Sequence, residues 1–184
     1  MSTRGYYGIG VEKVSKPMNV GALLRTAHAF GASFVFTIDE QYAARTGRLA
    51  DTSNAPEHVP LYHFDSVAEL SLPERCDIVG IELIEGATEL PSFRHPLLAA
   101  YVLGSERGSL SPEVLARCAA VVKIPMKFCV NLAVAGALVM YDRMISMGRF
   151  AERPVAFGGR PIPTPPHFRG RPIARKPSRR EGAD

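Results

Sequence analysis

The sequence predicts an α/β domain in which a mostly parallel sheet carries helices on its faces. Two observations point there. Between Tyr6 and Met147, short β-rich runs alternate with segments of three-four apolar spacing, the pattern of strands joined by crossover helices. Nothing repeats at a period of roughly 20–50 residues, which sets stacked-repeat architectures aside. A chain of 184 residues with 46% apolar side chains is expected to build one core.

The strands are expected at Tyr7–Val11, Phe34–Ile38, Val59–Tyr62, Ile78–Glu82, Ala100–Leu103 and Ala120–Ile124, each apolar and bounded by Gly, Pro, Asp or a charged turn. The first helix is expected to start near Asn19, a good N-cap. Val20, Leu23, Leu24, Ala27 and Phe30 recur at helical spacing until Gly31 stops it. Ser111-Pro112-Glu113 places a cap, a first-turn proline and an acid at the positive end of a second helix. A last helix follows Asn131. It is apolar around most of its circumference, so the domain or a second copy of the chain must cover it on nearly every side.

Charge divides the chain in two. Residues 1–148 hold 13 basic and 15 acidic side chains, whereas residues 149–184 hold 9 and 3. We therefore expect a domain over 1–148 and a basic tail over 149–184. Pro161, Pro163, Pro165, Pro166, Pro172 and Pro177 exclude a continuous helix from that tail and leave it extended or disordered. Its arginines, among them Arg169, Arg171 and Arg175, suit RNA phosphates, although a solvated tail without a binding role has the same composition. Cys76, Cys118 and Cys129 are odd in number and widely spaced, so no metal is expected, and Cys129 is read as a packed small hydrophobe. No apolar run reaches the roughly 20 residues of a membrane span, and the first residues lack a signal-peptide core. No membrane association and a cytoplasmic location are the expectation.

Several chemistries lack their signatures. Gly8-Ile9-Gly10 follows a strand, yet Lys13 stands where a dinucleotide fingerprint needs its third glycine. There is no phosphate-binding P-loop, no Gly-x-Ser-x-Gly elbow and no His-Glu-x-x-His helix.

Three segments stand out together: Asn19-Val20-Gly21-Ala22-Leu23-Leu24-Arg25 continuing to Gly31-Ala32; Leu103-Gly104-Ser105-Glu106-Arg107-Gly108-Ser109-Leu110-Ser111; and Ile124-Pro125-Met126 followed by Asn131-Leu132-Ala133-Val134-Ala135. In order and spacing they resemble the three motifs of the SpoU/TrmH family, part of the SPOUT superfamily of methyltransferases. The resemblance covers roughly residues 5–148. It implies a sheet domain whose C-terminal part is threaded into a deep trefoil knot, a homodimer, an RNA substrate and S-adenosylmethionine as methyl donor.

By that resemblance Arg25 is the catalytic residue of transfer to a ribose 2′-hydroxyl. The chemistry fits a cation, because the hydroxyl must lose its proton as the methyl arrives and nearby positive charge eases that loss. Gly21, four residues earlier on the same helical face, is expected to leave room beside the guanidinium. Asn19 suits a cap and a substrate contact alike. His28, one turn beyond Arg25, reads as polar surface. Glu106 is expected to orient Arg25 or cap its turn, and Arg107 to meet RNA. Gly104 and Gly108 allow a tight turn that brings backbone close to a ligand. Cofactor contacts are expected at Glu82 and Leu83, at Leu103, Gly104, Ser105 and Gly108, at Ile124 and Met126 for the adenine, and at Leu132 and Ala133. Asn131, opening the last helix, is expected to meet substrate or a knot carbonyl.

The third segment departs from the family, whose common members carry Ser-Leu-Asn-Val-Ser-Val-Ala where this chain has Cys129-Val130-Asn131-Leu132-Ala133-Val134-Ala135. Both serine hydroxyls are gone, and the link after Met126 is about three residues shorter, which implies a different RNA target. The reading is an RNA 2′-O-methyltransferase. With no dedicated RNA-binding segment before Tyr6, tRNA is preferred over rRNA as substrate. Its rivals are a non-catalytic knotted RNA-binding protein that keeps the cofactor pocket and a base methyltransferase.

Overall fold

The computed structural model describes residues 5–41, 58–105 and 108–148. Seven strands form one sheet: β1 (Tyr6–Glu12), β2 (Phe34–Ile38), β3 (Leu61–Phe64), β4 (Asp77–Ile81), β5 (Thr88–Glu89), β6 (Leu98–Leu103) and β7 (Ala120–Lys123). Their order is β3-β2-β1-β6-β4-β7-β5, and every pair is parallel. Helices α1 (Pro17–Phe30), α2 (Pro112–Arg117) and α3 (Leu132–Met147) make the crossovers and the flanks.

Strand alternation sorts the core onto two faces. Tyr7, Ile9 and Val11 of β1 and Tyr101 and Leu103 of β6 pack with α1 and α3. Phe34, Phe36 and Ile38 of β2 and Ala100 and Val102 of β6 face the other way, with Val114 of α2. Gly8 and Gly10 of β1 lie under the rings of that second face. A Cβ on Gly8 would sit 2.3 Å from the Phe34 ring, and one on Gly10 would sit 2.5 Å from the Phe36 ring. The Gly-Ile-Gly run thus serves ring packing.

Several expected boundaries move for identifiable reasons. Pairing of β3 begins at Leu61 opposite Val35 rather than at Val59, because Pro60 has no N–H to give and serves only as the acceptor for Val35 N. Strand β6 starts two residues early because Leu98 pairs with Tyr6. Helix α1 starts at Pro17 with Lys16 as its cap, and Lys16 makes no side-chain cap bond. The fixed φ of proline suits the first helical turn, so the helix begins before Asn19, and Asn19 is not the N-cap. Gly31 ends α1 at φ 74, Ser111 caps α2 through Val114 N, and Asn131 caps α3 through Ala133 N. Strand β5 and the 3-10 turn at Leu90–Ser92 are too short to show a sequence period.

Helix α3 packs one face on α1, where a Cβ on Gly136 would meet Leu23 Cδ1 at 2.6 Å. Val134, Leu138 and Tyr141 on α3 stay exposed, so the described domain covers only part of its circumference. The tail over 149–184 lies outside the described residues.

Candidate active site

The connections leave the central pair in opposite directions: β1 leads through α1 to β2 on one side, and β6 leads through α2 to β7 on the other. In open parallel sheets, ligands bind beyond the carboxyl ends of strands at such a switch point. A cleft of about 400 Å³ opens there, over the ends of β6, β4 and β7. Leu103, Gly104 and Ser105 enter it from β6, Ile81, Glu82 and Leu83 from β4, and Ile124 and Met126 from β7. Gly108 and Ser109 close one side, Leu132 and Ala135 of α3 another, and Phe128, Cys129 and Val130 form the lip.

The wall is tight where the second segment turns. A Cβ on Gly104 would lie 3.0 Å from Gly108 O and 3.3 Å from Glu82 Oε2. Glu82 holds that turn: Oε2 accepts Leu110 N at 2.8 Å and Oε1 accepts its neighbour Leu83 N at 2.9 Å. The carboxylate is therefore fixed in place by two backbone donors.

A side-chain hydrogen bond ties helix α1 to the cleft wall. Asn131 Nδ2 donates to Asn19 Oδ1 at 3.0 Å across 112 positions, while Asn131 Oδ1 accepts Ala133 N at 2.9 Å. The amide expected to reach substrate or a knot carbonyl is thus engaged in joining the first segment to the third. Arg25 is exposed, and among the described residues none pairs with it. Gly21, one turn earlier, is buried. His28, exposed on the same helix, stacks on His58 with ring centroids 4.6 Å apart.

Nine of the ten residues expected around a cofactor line this cleft: Glu82, Leu83, Leu103, Gly104, Ser105, Gly108, Ile124, Met126 and Leu132. Ala133 does not, because the Asn131 cap takes its N–H and its side chain packs in the core. Cys129 is exposed at the lip rather than packed in an apolar core, which corrects the expectation. Phe128 and Val130 were missed. The signal was available, since they sit on the short link between Ile-Pro-Met and Asn131, but their apolar character reads as core. Glu106, Arg107, Arg169, Arg171 and Arg175 fall outside the described residues. Among the described residues no three His, Cys, Asp or Glu side chains group as a metal site, and no helix is long and apolar enough to cross a membrane.

Comparison with known proteins agrees with this geometry. A protein of Staphylococcus aureus strain COL, provisionally named a TrmH family tRNA/rRNA methyltransferase, is 31% identical over 140 residues, 72% of this chain and 56% of the relative. The chain thus spans little more than half of that relative's length. The SpoU methyltransferase AviRb from Streptomyces viridochromogenes, solved with AdoMet, shares the fold at a TM-score of 0.69 and 19% identity, over 77% of this chain and 57% of AviRb. A structure solved to explain the 2-OH methylation of C/U34 on tRNA superposes at a TM-score of 0.62 and 27% identity, covering 76% of this chain and 95% of that one. With residues 8–141 matching its pattern, this chain belongs to the SpoU rRNA Methylase family.

Proposed function

We propose that the chain is an S-adenosylmethionine-dependent RNA methyltransferase that acts on a ribose 2′-hydroxyl, with tRNA preferred over rRNA. One observation carries this reading. The Asn19–Asn131 hydrogen bond holds the helix that bears Arg25 against the helix that walls the cleft, so a cation and a nucleoside-sized pocket are built as one unit.

The cleft fits the cofactor. Leu103, Ile124, Met126 and Leu132 offer apolar walls to an adenine, and Gly104, where a Cβ would crowd Gly108 O and Glu82 Oε2, keeps the turn beside the cleft tight. Adenosylmethionine held by these residues would supply an electrophilic sulfonium methyl for the ribose oxygen. Arg25 holds the ribose or its phosphate and stabilises the negative charge that grows on the 2′-oxygen as its proton leaves. Asn19 and Asn131 fix the helix that presents it. Glu106 and Arg107 belong to this reading as an orienting acid and an RNA contact, and Arg169, Arg171 and Arg175 as phosphate contacts.

The reading includes a trefoil knot and a homodimer. Val134, Leu138 and Tyr141 recur at four- and three-residue spacing on α3, forming an exposed apolar stripe that a second copy would cover. The preference for tRNA is supported by the 27% identical neighbour studied for tRNA 2-OH methylation. The test is transfer of labelled methyl from adenosylmethionine to total tRNA and total rRNA, with wild type beside Arg25→Ala, followed by mapping of the modified nucleotide. Ribose methylation of tRNA that is lost in the variant is expected. A methyl on a nucleobase, or no transfer by a folded cofactor-binding protein, overturns the reading.

A further inference from the structure

Glu12, the last residue of β1, is a buried carboxylate that no motif includes. It is 1% exposed. Its Oε2 accepts Ser111 N at 2.8 Å, across 99 positions. Its Oε1 is buried without a hydrogen bond among the described residues, and the nearest cation is Lys13 Nζ at 3.9 Å.

The partners of Glu12 make this more than a core contact. Ser111 ends the segment that begins at Gly104, and the preceding residue, Leu110, is held by Glu82. Two carboxylates at the ends of β1 and β4 therefore take consecutive backbone donors directly after Gly108 and Ser109, which line the cleft. On its other side Glu12 adjoins Lys13, which turns the chain at φ 52 and donates its N–H to Ile38 O at 2.8 Å. That turn leads into α1, which carries Asn19 and Arg25. Removing a carboxylate from water is expensive, and a hydroxyl or amide would accept one N–H as well at lower cost. A charge is favoured where one group must hold the start of α2 and the cationic turn before α1 together.

We propose that Glu12 is a positioning residue that sets the Gly108–Ser111 segment against the turn entering α1, and so fixes the shape of the cofactor cleft. It touches neither substrate nor cofactor. The inference rests on the cofactor reading above.

The test is calorimetric titration of adenosylmethionine into the full chain, with melting temperatures recorded in parallel. Glu12→Ala is expected to weaken binding about tenfold, as loss of a charge-assisted hydrogen bond would, whereas Glu12→Gln, which keeps an acceptor for Ser111 N but loses the charge facing Lys13, falls between Glu12→Ala and wild type. Arg143→Met is the control, because the Arg143 side chain of α3 reaches the carbonyls before the start of β6, away from the cleft, and its loss lowers stability alone. Glu12→Ala binding as tightly as wild type overturns the proposal, as does an equal loss of affinity in Arg143→Met. Should Glu12→Ala fail to fold, Glu12→Asp, one methylene short of Ser111, carries the same expectation. Absence of heat from wild type overturns the cofactor reading and this inference with it, whereas a binding wild type beside an unaffected Glu12→Ala overturns this inference alone.

Discussion

Asp142 of α3 lies 2.9 Å from His95 Nε2 in the loop before β6, a link across 47 positions. On the other side of the ring, Nδ1 lies 2.6 Å from the Tyr101 hydroxyl, to which Arg143 Nη1 donates at 3.0 Å. One proton arrangement satisfies all three contacts: Arg143 donates to the Tyr101 oxygen, the hydroxyl donates to a neutral Nδ1, and Nε2–H donates to Asp142.

The neutral ring has a consequence for stability. Burial lowers the His95 pKa below its usual 6.5, outweighing the pull of Asp142 in the other direction. Because the unfolded chain binds this proton more readily, the His95 contribution is fully present above 6.5 and is lost as pH falls from 6.5 through the lower folded value. Urea midpoints measured at about pH 7.5 and about pH 5.5 should fall further in wild type than in His95→Gln. Equal pH dependence in the two proteins would assign the effect to other groups.

Arg143 should be the costliest side chain to remove in this network. It is 2% exposed, donates to Pro96 O and Leu97 O as well as to Tyr101, and sits 4.8 Å from the centre of the Tyr7 ring. Arg143→Met keeps much of the volume but takes their donor from Pro96 O and the Tyr101 hydroxyl, and one of two donors from Leu97 O. A loss of about 3 kcal/mol is expected in chemical denaturation. Tyr101→Phe removes only the shared hydroxyl, whose pKa burial pushes up to about 12, and should cost about 1 kcal/mol. A cost for Arg143→Met no larger than that for Tyr101→Phe would contradict the central place given to the guanidinium.

The β1 glycines separate ring packing from ligand binding. Gly8→Ala places a methyl against the Phe34 ring, which Tyr6 and Tyr62 hemmed in at centroid distances of 5.6 and 6.3 Å cannot easily release. Destabilisation of about 2 kcal/mol is expected, with adenosylmethionine affinity unchanged in the folded protein. A variant of normal stability and weak cofactor binding would return Gly8 to a ligand-contacting role.

What the sequence made legible follows from how local each signal is. Gly31, Ser111 and Asn131 end or cap their helices as read, because capping depends on a few adjacent residues. The apolar runs place six strands, with edges moved by Pro60 and by the pairing of Tyr6 with Leu98. Cys129 was misjudged for a different reason. Exposure is a tertiary property: a cysteine among apolar neighbours lies exposed when its loop forms a cleft lip. Glu12 gave no signal at all, since its partner is 99 positions away.

The same long-range logic governs the Asn19–Asn131 pair, which is the contact that assembles the candidate site. Asn131→Ala removes both a helix cap and the bond to Asn19, each worth about 1 kcal/mol, so its total cost should exceed that of Asn19→Ala. The single variants cannot isolate the pair, because the Asn131 cap and a further Asn19 interaction are lost with it. A double-mutant cycle cancels those separate losses and should return a coupling of about 1 kcal/mol. Methyl transfer gives the second readout: Asn19→Ala frees α1 from the cleft wall while leaving Arg25 and the cleft lining intact, so turnover should fall with cofactor affinity retained. Zero coupling, or a fall in cofactor affinity with turnover unchanged, would detach Asn19 from the placement of Arg25 and leave the bond a simple brace between helices.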